Sequence, residues 1–189
     1  DDYSWVSRVH DAGSAAAMQV ADVDAARRAV DGGVDVLVAR GLEGGGHGAP
    51  LIGTLPLLAE VLDAVEVPVL AAGGIASPRA LAAVLAAGAS GAWVGTAFSA
   101  CAESLTPESA RAALCAAGSG ATVTTREFDL AARYRWPATL PERVLVDRVG
   151  LPTPVNAGQG VGSVTSSEPA AAVLDRLVSG AEGLLRRWA

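Results

Sequence analysis

The stretch V-P-V-L-A-A-G-G-I-A-S-P-R-A at positions 67–80 decides the fold of this chain. Its apolar part predicts a buried strand from Val67 to Ala72 that runs into Gly73-Gly74. Ser77 then offers a hydroxyl as a helix N-cap, and Pro78 suits the first position of a helix. A strand, a glycine turn and a helix start in such close succession predict one β/α unit of a parallel sheet.

The next apolar segment, G-A-W-V-G-T-A-F at 91–98, repeats the pattern and predicts a strand from Ala92 to Ala97 that contains Gly95-Thr96. Glycine lets backbone N–H groups approach an anion closely, and a helix N-terminus favours negative charge. Loops after consecutive strands of a (β/α)8 barrel commonly build a phosphate site. The two glycine pairs together therefore predict a clamp for one phosphate, whereas either pair alone is more typical of a tight turn.

Two further units precede these. They consist of predicted strands over 15–20 and 34–39, a helix over 23–31 with Asp22 as its N-cap, and a helix from Thr54, as its cap, through Val65. A short helical pattern over 4–11 opens the chain. Strands that begin roughly 20 to 30 residues apart are typical of βαβ units and predict an α/β fold with parallel strands. Four such strands could form a small open sheet or half of an eight-stranded barrel.

After Pro107 the alternation stops. We expect a helix over 107–117, a short strand over 122–127 and an ordered, proline- and glycine-rich excursion over 134–162. The last helix carries an apolar stripe that we expect to pack onto the domain, formed by Leu174, Leu177, Val178, Ala181, Leu184, Leu185 and Trp188. The predicted organisation is a half-barrel with the phosphate-binding loops over 1–106 and a helical extension over 107–189 that packs on it.

The amino-acid composition excludes several classes of function. The chain of 189 residues has a net charge of -6 and no basic patch, which argues against nucleic acid as a partner. All 14 basic residues are arginines, so a Schiff-base lysine and a P-loop lysine are excluded within this chain. Cys101 and Cys115 lack metal-ligand spacing and predict packing residues in a reducing compartment, the cytoplasm, with no metal site. No uninterrupted apolar stretch predicts a membrane span.

The only methionine is Met18, so Asp1 is not a translation start. We therefore expect either that residues were removed before Asp1 or that this chain is part of a longer protein.

Few polar residues follow the predicted strands. His47 lies in the glycine-rich loop R-G-L-E-G-G-G-H-G-A-P at 40–50, where it could act as a base near neutral pH or be a solvated loop residue. Gln19 could hydrogen-bond a flavin ring edge or cap nearby backbone. Gln159, between two glycines, could lie in a loop over a cofactor or in a plain turn.

Other polar and aromatic residues give weaker indications of function. Arg40 could be an anion partner or a surface charge, and Glu43 could be a second acid/base group or only solvated. His10 is expected at the surface or in packing. The tryptophans Trp5, Trp93, Trp136 and Trp188 are dispersed, so we expect them in the core rather than in a stacking platform.

Four motifs in this order resemble the nitronate monooxygenase family and its close relatives, the FMN-dependent enoyl-acyl-carrier-protein reductases. They are E-G-G-G-H-G at 43–48, P-V-L-A-A-G-G-I-A at 68–76, V-G-T-A-F at 94–98 and A-G-Q-G-V-G at 157–162. The resemblance implies an FMN-binding TIM (β/α)8 barrel, of which this chain would be the C-terminal half. It would then need the missing N-terminal half, or a homodimer, to cover its exposed edges.

The resemblance also implies roles for single residues. His47 falls on the catalytic histidine of the family. The cofactor-binding positions would be Gln19, Gly45, Gly46, Gly73, Gly74, Gly95, Thr96 and Gln159. The chain departs from the family at Ala97, which stands where the usual G-T-R-F motif has an arginine.

The implied activity is FMN-dependent oxidation of an alkyl nitronate by O2 to a carbonyl compound and nitrite. The alternatives are an enoyl reductase that also needs NAD(P)H and a non-catalytic half-barrel that binds a phosphate-bearing ligand.

Overall fold

The computed structural model describes residues 2–187. Its helices are α1 (Ser4–Asp11), α2 (Val23–Asp31), α3 (Thr54–Leu62), α4 (Pro78–Ala86), α5 (Thr96–Ser99), α6 (Glu108–Ala116), α7 (Glu127–Ala132) and α8 (Ala170–Leu185). Its strands are β1 (Ala17–Val20), β2 (Val36–Arg40), β3 (Gly46–His47), β4 (Val69–Ala72), β5 (Gly91–Trp93), β6 (Thr122–Thr125), β7 (Glu142–Val146) and β8 (Pro152–Asn156). A 3-10 turn covers Gln159–Ser163. Trp188, expected in the apolar stripe and the core, lies outside the described residues.

The principal sheet is parallel, with the strand order β1-β2-β4-β5. These are the four strands that the sequence predicts, so the α/β fold with a parallel sheet is confirmed. Each connecting helix packs against the strands near it: α2 on β1, α3 on β2 and β4, and α4 on β5. Strands buried under helices in this way are continuous apolar runs, as Leu37 to Ala39 illustrates in β2.

Two helix starts follow the predicted capping chemistry and a third does not. The Asp22 carboxylate accepts from the Ala25 backbone N–H at 2.7 Å, and the Ser77 hydroxyl accepts from Ala80 at 3.2 Å. For α3 the prediction is wrong, because Gly53 is the N-cap and Thr54 is already helical. Its hydroxyl instead donates to Glu43 at 2.8 Å. The same helix ends at Leu62, short of the expected Val65.

The fourth strand is also shorter than predicted. It ends at Trp93 rather than Ala97, and Thr96 opens the short helix α5. Gly95 has φ -110° and ψ -70°, which turns the chain out of the extended conformation before the apolar run is finished.

Helix α6 and the strand near 122 are confirmed, but the helical extension expected after residue 107 contains more strand than predicted. An antiparallel sheet with the order β3-β7-β6 lies there, and β8 also pairs with β7. Its strand β3 comes from the glycine-rich loop, which the sequence presents as irregular. A second apolar cluster, which includes Leu114, Leu145 and Val161, supports this region, and both cysteines are free and pack in it.

The last helix buries only part of its stripe. Leu177 and Ala181 are buried, but Leu174 and Val178 are about half exposed. Together with Trp93, which is 59% exposed, they line an apolar groove of about 830 Å³ beside β5. Trp93 and Trp136 are therefore not core residues, contrary to expectation. Among residues 2–187 no helix is both long enough and apolar enough to cross a membrane.

Candidate active site

A cleft of about 200 Å³ lies at the carboxyl ends of the parallel strands. Its lining includes seven of the residues predicted to bind a cofactor: Gln19, Gly45, Gly46, Gly73, Gly74, Gly95 and Thr96. Arg40, Asn156 and Gly158 also line it. Residues more than 130 positions apart in the chain thus meet at one edge of the sheet, where α/β proteins bind ligands.

The turn after β4 requires its glycines. Gly73 has φ +113° and Gly74 has φ +68°, conformations that other residues rarely adopt. A Cβ atom on Gly73 would lie 2.6 Å from the Thr54 hydroxyl oxygen. This pair therefore forms a tight turn, and the same backbone also forms part of the cleft wall.

The loop after β5 is built differently. A Cβ atom on Gly95 would meet nothing within 4 Å, so this glycine borders open space. The Thr96 hydroxyl accepts a hydrogen bond from the Gly158 N–H at 2.9 Å, which ties this loop to the A-G-Q-G-V-G segment. The hydroxyl proton of Thr96 is still available to a ligand, because a hydroxyl both donates and accepts.

Arg40 is not a surface charge, because its side chain is buried at the edge of the cleft. It is 6% exposed, and its Nη2 donates to the carbonyls of Gly44, Gly45 and Gly46 at 2.7, 3.1 and 3.0 Å. A Cβ atom on Gly44 would lie 2.7 Å from the Arg40 Nε, and one on Gly48 would also collide with the guanidinium. Gly44 and Gly48 therefore make room for the Arg40 side chain. Burial, with the nearby charge of Arg143, lowers the pKa of Arg40.

Glu43 and Gln159 hold the loops in place. The Glu43 carboxylate accepts from the Thr54 N–H at 2.9 Å and from its hydroxyl, and the Glu43 carbonyl accepts from the Gln159 N–H at 2.9 Å. Gln159 does not line the cleft; it lines a neighbouring pocket of about 230 Å³ with Glu43. A role for Gln159 in cofactor binding stays a prediction.

His47 lies next to the cleft, at the end of β3, but is not among the residues that line it. Its Nε2 is 2.8 Å from the Asp129 Oδ2. The imidazole stacks on Trp136, with ring centroids 4.0 Å apart and an interplanar angle of 12°. Glu142 is directly opposite His47 in the β3–β7 pairing, so the two side chains share a face of the sheet.

Four residues of this region carry no sequence signal for a site: Asp129, Trp136, Glu142 and Asn156. Asp129 and Glu142 are buried, and burial followed by the charge of Asp129 raises the pKa of Glu142, while His47 acts in the opposite direction. The donor atoms of His47, Asp129 and Glu142 lie within 4.8 Å of one another, close enough to hold a divalent ion. No spacing signal links His47 to Asp129 across 82 residues; only the pairing of β3 with β7 could have indicated this cluster.

The parallel sheet and the glycine-lined cleft at its carboxyl edge are the arrangement in which open α/β sheets bind ligands. The chain belongs to the nitronate monooxygenase family, whose model matches residues 2–142.

Two curated relatives extend this finding. A (3aS,4S,5R,7aS)-5-hydroxy-7a-methyl-1-oxo-octahydro-1H-indene-4-carboxyl-CoA dehydrogenase of Rhodococcus jostii is 44% identical over 104 residues, which are 55% of this chain and 29% of that protein. A nitronate monooxygenase of Neurospora crassa is 34% identical over 129 residues, 64% of this chain and 34% of that protein. The chain thus spans about a third of the length of these relatives.

A solved structure matches over the entire chain. The nitroalkane oxidase of Streptomyces ansochromogenes is 29% identical with a TM-score of 0.85, over 100% of this chain and 63% of that one. Its fold agrees with the α/β arrangement described above.

Proposed function

We propose that this chain supplies the phosphate-binding side of an FMN-dependent nitronate monooxygenase, which oxidises alkyl nitronates with O2 to carbonyl compounds and nitrite. One observation carries the proposal. In a chain of this family, the glycine loops after β4 and β5 meet Gln19 in a single cleft at the carboxyl edge of the sheet.

The residues present fit one end of such a cofactor. The open space beside Gly95 and the free hydroxyl proton of Thr96 suit a phosphate oxygen. The Gln19 side chain, at the end of β1, can both donate to and accept from a ring edge. The cleft of about 200 Å³ is smaller than the roughly 300–1,000 Å³ of most ligand pockets, so these residues would hold part of the cofactor and other residues the remainder.

When bound, the flavin would supply the electron-accepting chemistry that nitronate oxidation needs. The protein side of the reaction falls to His47, which would take a proton from a neutral nitroalkane or orient the nitronate anion. The buried Arg40 would fix the loop that connects the cleft with His47.

We further propose that the four parallel β/α units are half of an eight-stranded barrel. The match to a chain of which this one covers only 63% supports this arrangement, as do the open edges at β1 and β5. The apolar groove beside β5 would then be covered by the other half of the barrel or by a second copy of this chain. Sedimentation that shows a stable, well-folded monomer would contradict this part of the proposal.

Flavin retention tests the cofactor proposal. The purified chain is mixed with FMN, the excess is removed, and the absorption spectrum is recorded. We expect near-stoichiometric flavin, followed by nitronate turnover in the assembly that completes the pocket. Gly95→Ala should lower retention by about tenfold or more, because the methyl group enters space that the phosphate would use and collides with no protein atom. Gly118→Ala, which also meets open space but lies away from the cleft, is the matched control.

An unchanged affinity in Gly95→Ala would place the phosphate elsewhere. Failure of the parent chain to retain flavin, alone and with its partner half, would support a non-catalytic half-barrel instead.

Dehydrogenation of a large thioester substrate is a second candidate, favoured by the 44% identity to the Rhodococcus CoA dehydrogenase. It predicts that the flavin is reduced by an acyl-CoA and not by an alkyl nitronate. The enoyl-reductase alternative predicts oxidation of NADH by the flavin-loaded protein. Anaerobic bleaching of the flavin by each compound in turn separates the three.

A further inference from the structure

The imidazole of His47 is anchored on one side only. Its Nε2 lies 2.8 Å from the Oδ2 of Asp129, whose side chain is 4% exposed. An ionised carboxylate can only accept a hydrogen bond, so Nε2 is the donor in this bond when Asp129 carries its charge. Within residues 2–187, the other ring nitrogen, Nδ1, has no hydrogen-bond partner. A neutral ring with its proton on Nε2 carries a free lone pair on Nδ1.

Two neighbours restrict the ring further. Trp136 lies parallel to the imidazole at 4.0 Å, which opposes rotation of the ring out of its plane. Glu142 faces His47 across the β3–β7 pair, is 7% exposed, and makes no hydrogen bond through its side chain in the part of the chain that the structure describes. The charged or titratable groups that face the ring are thus Asp129 from α7 and Glu142 from β7.

We propose that Asp129 is a positioning residue for His47, which holds the proton on Nε2 and so makes Nδ1 the proton-accepting atom of the ring. Burial, followed by the charge of Asp129, raises the pKa of Glu142 and so disfavours a second negative charge beside the imidazole, while His47 acts in the opposite direction. When the ring gains a second proton, the resulting imidazolium is paired with the charge of Asp129 and needs no movement of either side chain.

This inference rests on the proposed function, because the step concerned is the transfer of a proton from a neutral nitroalkane to His47. Nδ1 takes the proton from the carbon that bears the nitro group of a neutral nitroalkane. The electron pair of the broken C–H bond moves onto the nitro group, which becomes the nitronate anion, while Nε2 keeps its proton and its bond to Asp129. A preformed nitronate needs no such proton transfer, so the two substrates depend differently on Asp129.

The tautomer of His47 can be observed without any turnover. The chain has only two histidines, His10 and His47, so both rings can be assigned in a long-range ¹H–¹⁵N spectrum of the labelled protein. At a fixed pH at which the ring is neutral, we expect the His47 signals of an Nε2–H tautomer. Asp129→Asn should convert them to a mixture of tautomers or to Nδ1–H. Asp35→Asn, which alters the partner of His10 at a similar distance, should leave the His47 signals unchanged.

An Nδ1–H tautomer in the parent protein, or unchanged His47 signals in Asp129→Asn, would overturn the proposal. So would loss of the expected pattern on treatment with a chelator, because it would mean that His47 binds a metal ion instead. If Asp129→Asn fails to fold, Asp129→Glu keeps the acceptor, and its His47 signals should match those of the parent.

Kinetics then test the consequence in the flavin-loaded assembly. Asp129→Asn should lower kcat for a neutral nitroalkane by about 100-fold or more, the usual range for a lost general base, and lower kcat for the preformed nitronate by much less. Equal losses for the two substrates would contradict the positioning role. Absence of turnover of either substrate in the parent protein would instead contradict the proposed function and leave the spectroscopic result standing.

Discussion

Two histidine–aspartate pairs in this chain share nearly the same geometry but differ in their surroundings. His10 Nε2 lies 2.9 Å from Asp35 Oδ2, and His47 Nε2 lies 2.8 Å from Asp129 Oδ2. The side chains of the first pair are 42% and 41% exposed, and those of the second are 20% and 4% exposed. The hydrogen-bond distance therefore does not distinguish a surface contact from a candidate site, whereas burial and neighbours do.

The neighbours of each pair give it a different function. Asp35 also accepts from the Ala16 N–H at 2.6 Å, so this carboxylate connects α1, through His10, to the start of β1. The Ala16 bond, followed by His10, lowers the pKa of Asp35. His47 and Asp129 instead have an aromatic ring and a second carboxyl group beside them. The first pair stabilises the fold locally, and the second concentrates titratable groups next to a cleft.

The largest expected difference between the pairs is in catalysis. In the flavin-loaded assembly, His47→Ala should reduce turnover of a neutral nitroalkane by roughly 100-fold to 10,000-fold, the range for loss of a general base. His10→Ala should leave turnover unchanged, because His10 lies in α1 away from the cleft. Steady-state rates measure both. Equal rates for the two variants would mean that burial has no bearing on function here.

The next difference is a pH dependence of opposite sign. The pKa of Glu142 is raised above its ordinary 4.5, so its neutral form is favoured in the fold, and the fold loses stability as the pH rises through the raised pKa. Glu142→Gln should therefore add about 1 kcal/mol near neutral pH and nothing below about pH 4, where the carboxyl is neutral in both states. Denaturant midpoints of the parent and of Glu142→Gln, recorded over roughly pH 3 to 8, measure this difference in stability. Equal gains at all pH values would contradict the assignment.

Asp35 should behave in the reverse way. Its pKa is lowered from 3.8, so its contribution is present above the unfolded value and is lost as the pH falls through the folded value. Asp35→Asn should lower stability at neutral pH, and the loss should disappear in acid. The same denaturation series checks it, and a variant that is destabilised equally at all pH values would show that the loss comes from shape rather than charge.

The smallest difference concerns the stacked ring. Trp136→Leu should reduce the free energy of unfolding by about 0.5–1 kcal/mol, because the stack is worth that much and Trp136 remains 44% exposed. Chemical denaturation measures the change, with Trp93→Leu, which has no stacking partner among the described residues, as the control. A larger loss in the control than in Trp136→Leu would indicate that stacking on His47 contributes nothing.

The comparison also shows which parts of the molecule a sequence can predict. Asp22 and Ser77 cap their helices because the interaction is local: the acceptor and the N–H that it binds are three residues apart. The parallel strands follow from apolar runs for the same reason. The prediction for Thr54 is wrong because Gly53 is the N-cap, and the N–H and hydroxyl of Thr54 both donate to Glu43, which only the tertiary fold brings near.

The candidate site likewise has a part that the sequence predicts and a part that only the tertiary fold shows. The glycines of the cleft lie in motifs that stand out locally, and the structure collects most of them in one place. Asp129 and Glu142 carry no local signal, because a carboxylate in a short helix and one at a strand start are ordinary surface residues by pattern. They become a site only through the β3–β7 pairing, and β3 is a two-residue strand in a loop.

Arg40 lies between the glycine-lined cleft and His47 and contacts the loop that joins them. By holding the carbonyls of Gly44, Gly45 and Gly46 with one nitrogen, it fixes the length and direction of the few residues that separate the cleft from His47. The guanidinium thus fixes the loop segment that joins the cleft to the imidazole. A lysine at this position would lack the planar head group that fits between Gly44 and Gly48. Arginine, which supplies every basic side chain of this sequence, is therefore the residue type that this position requires.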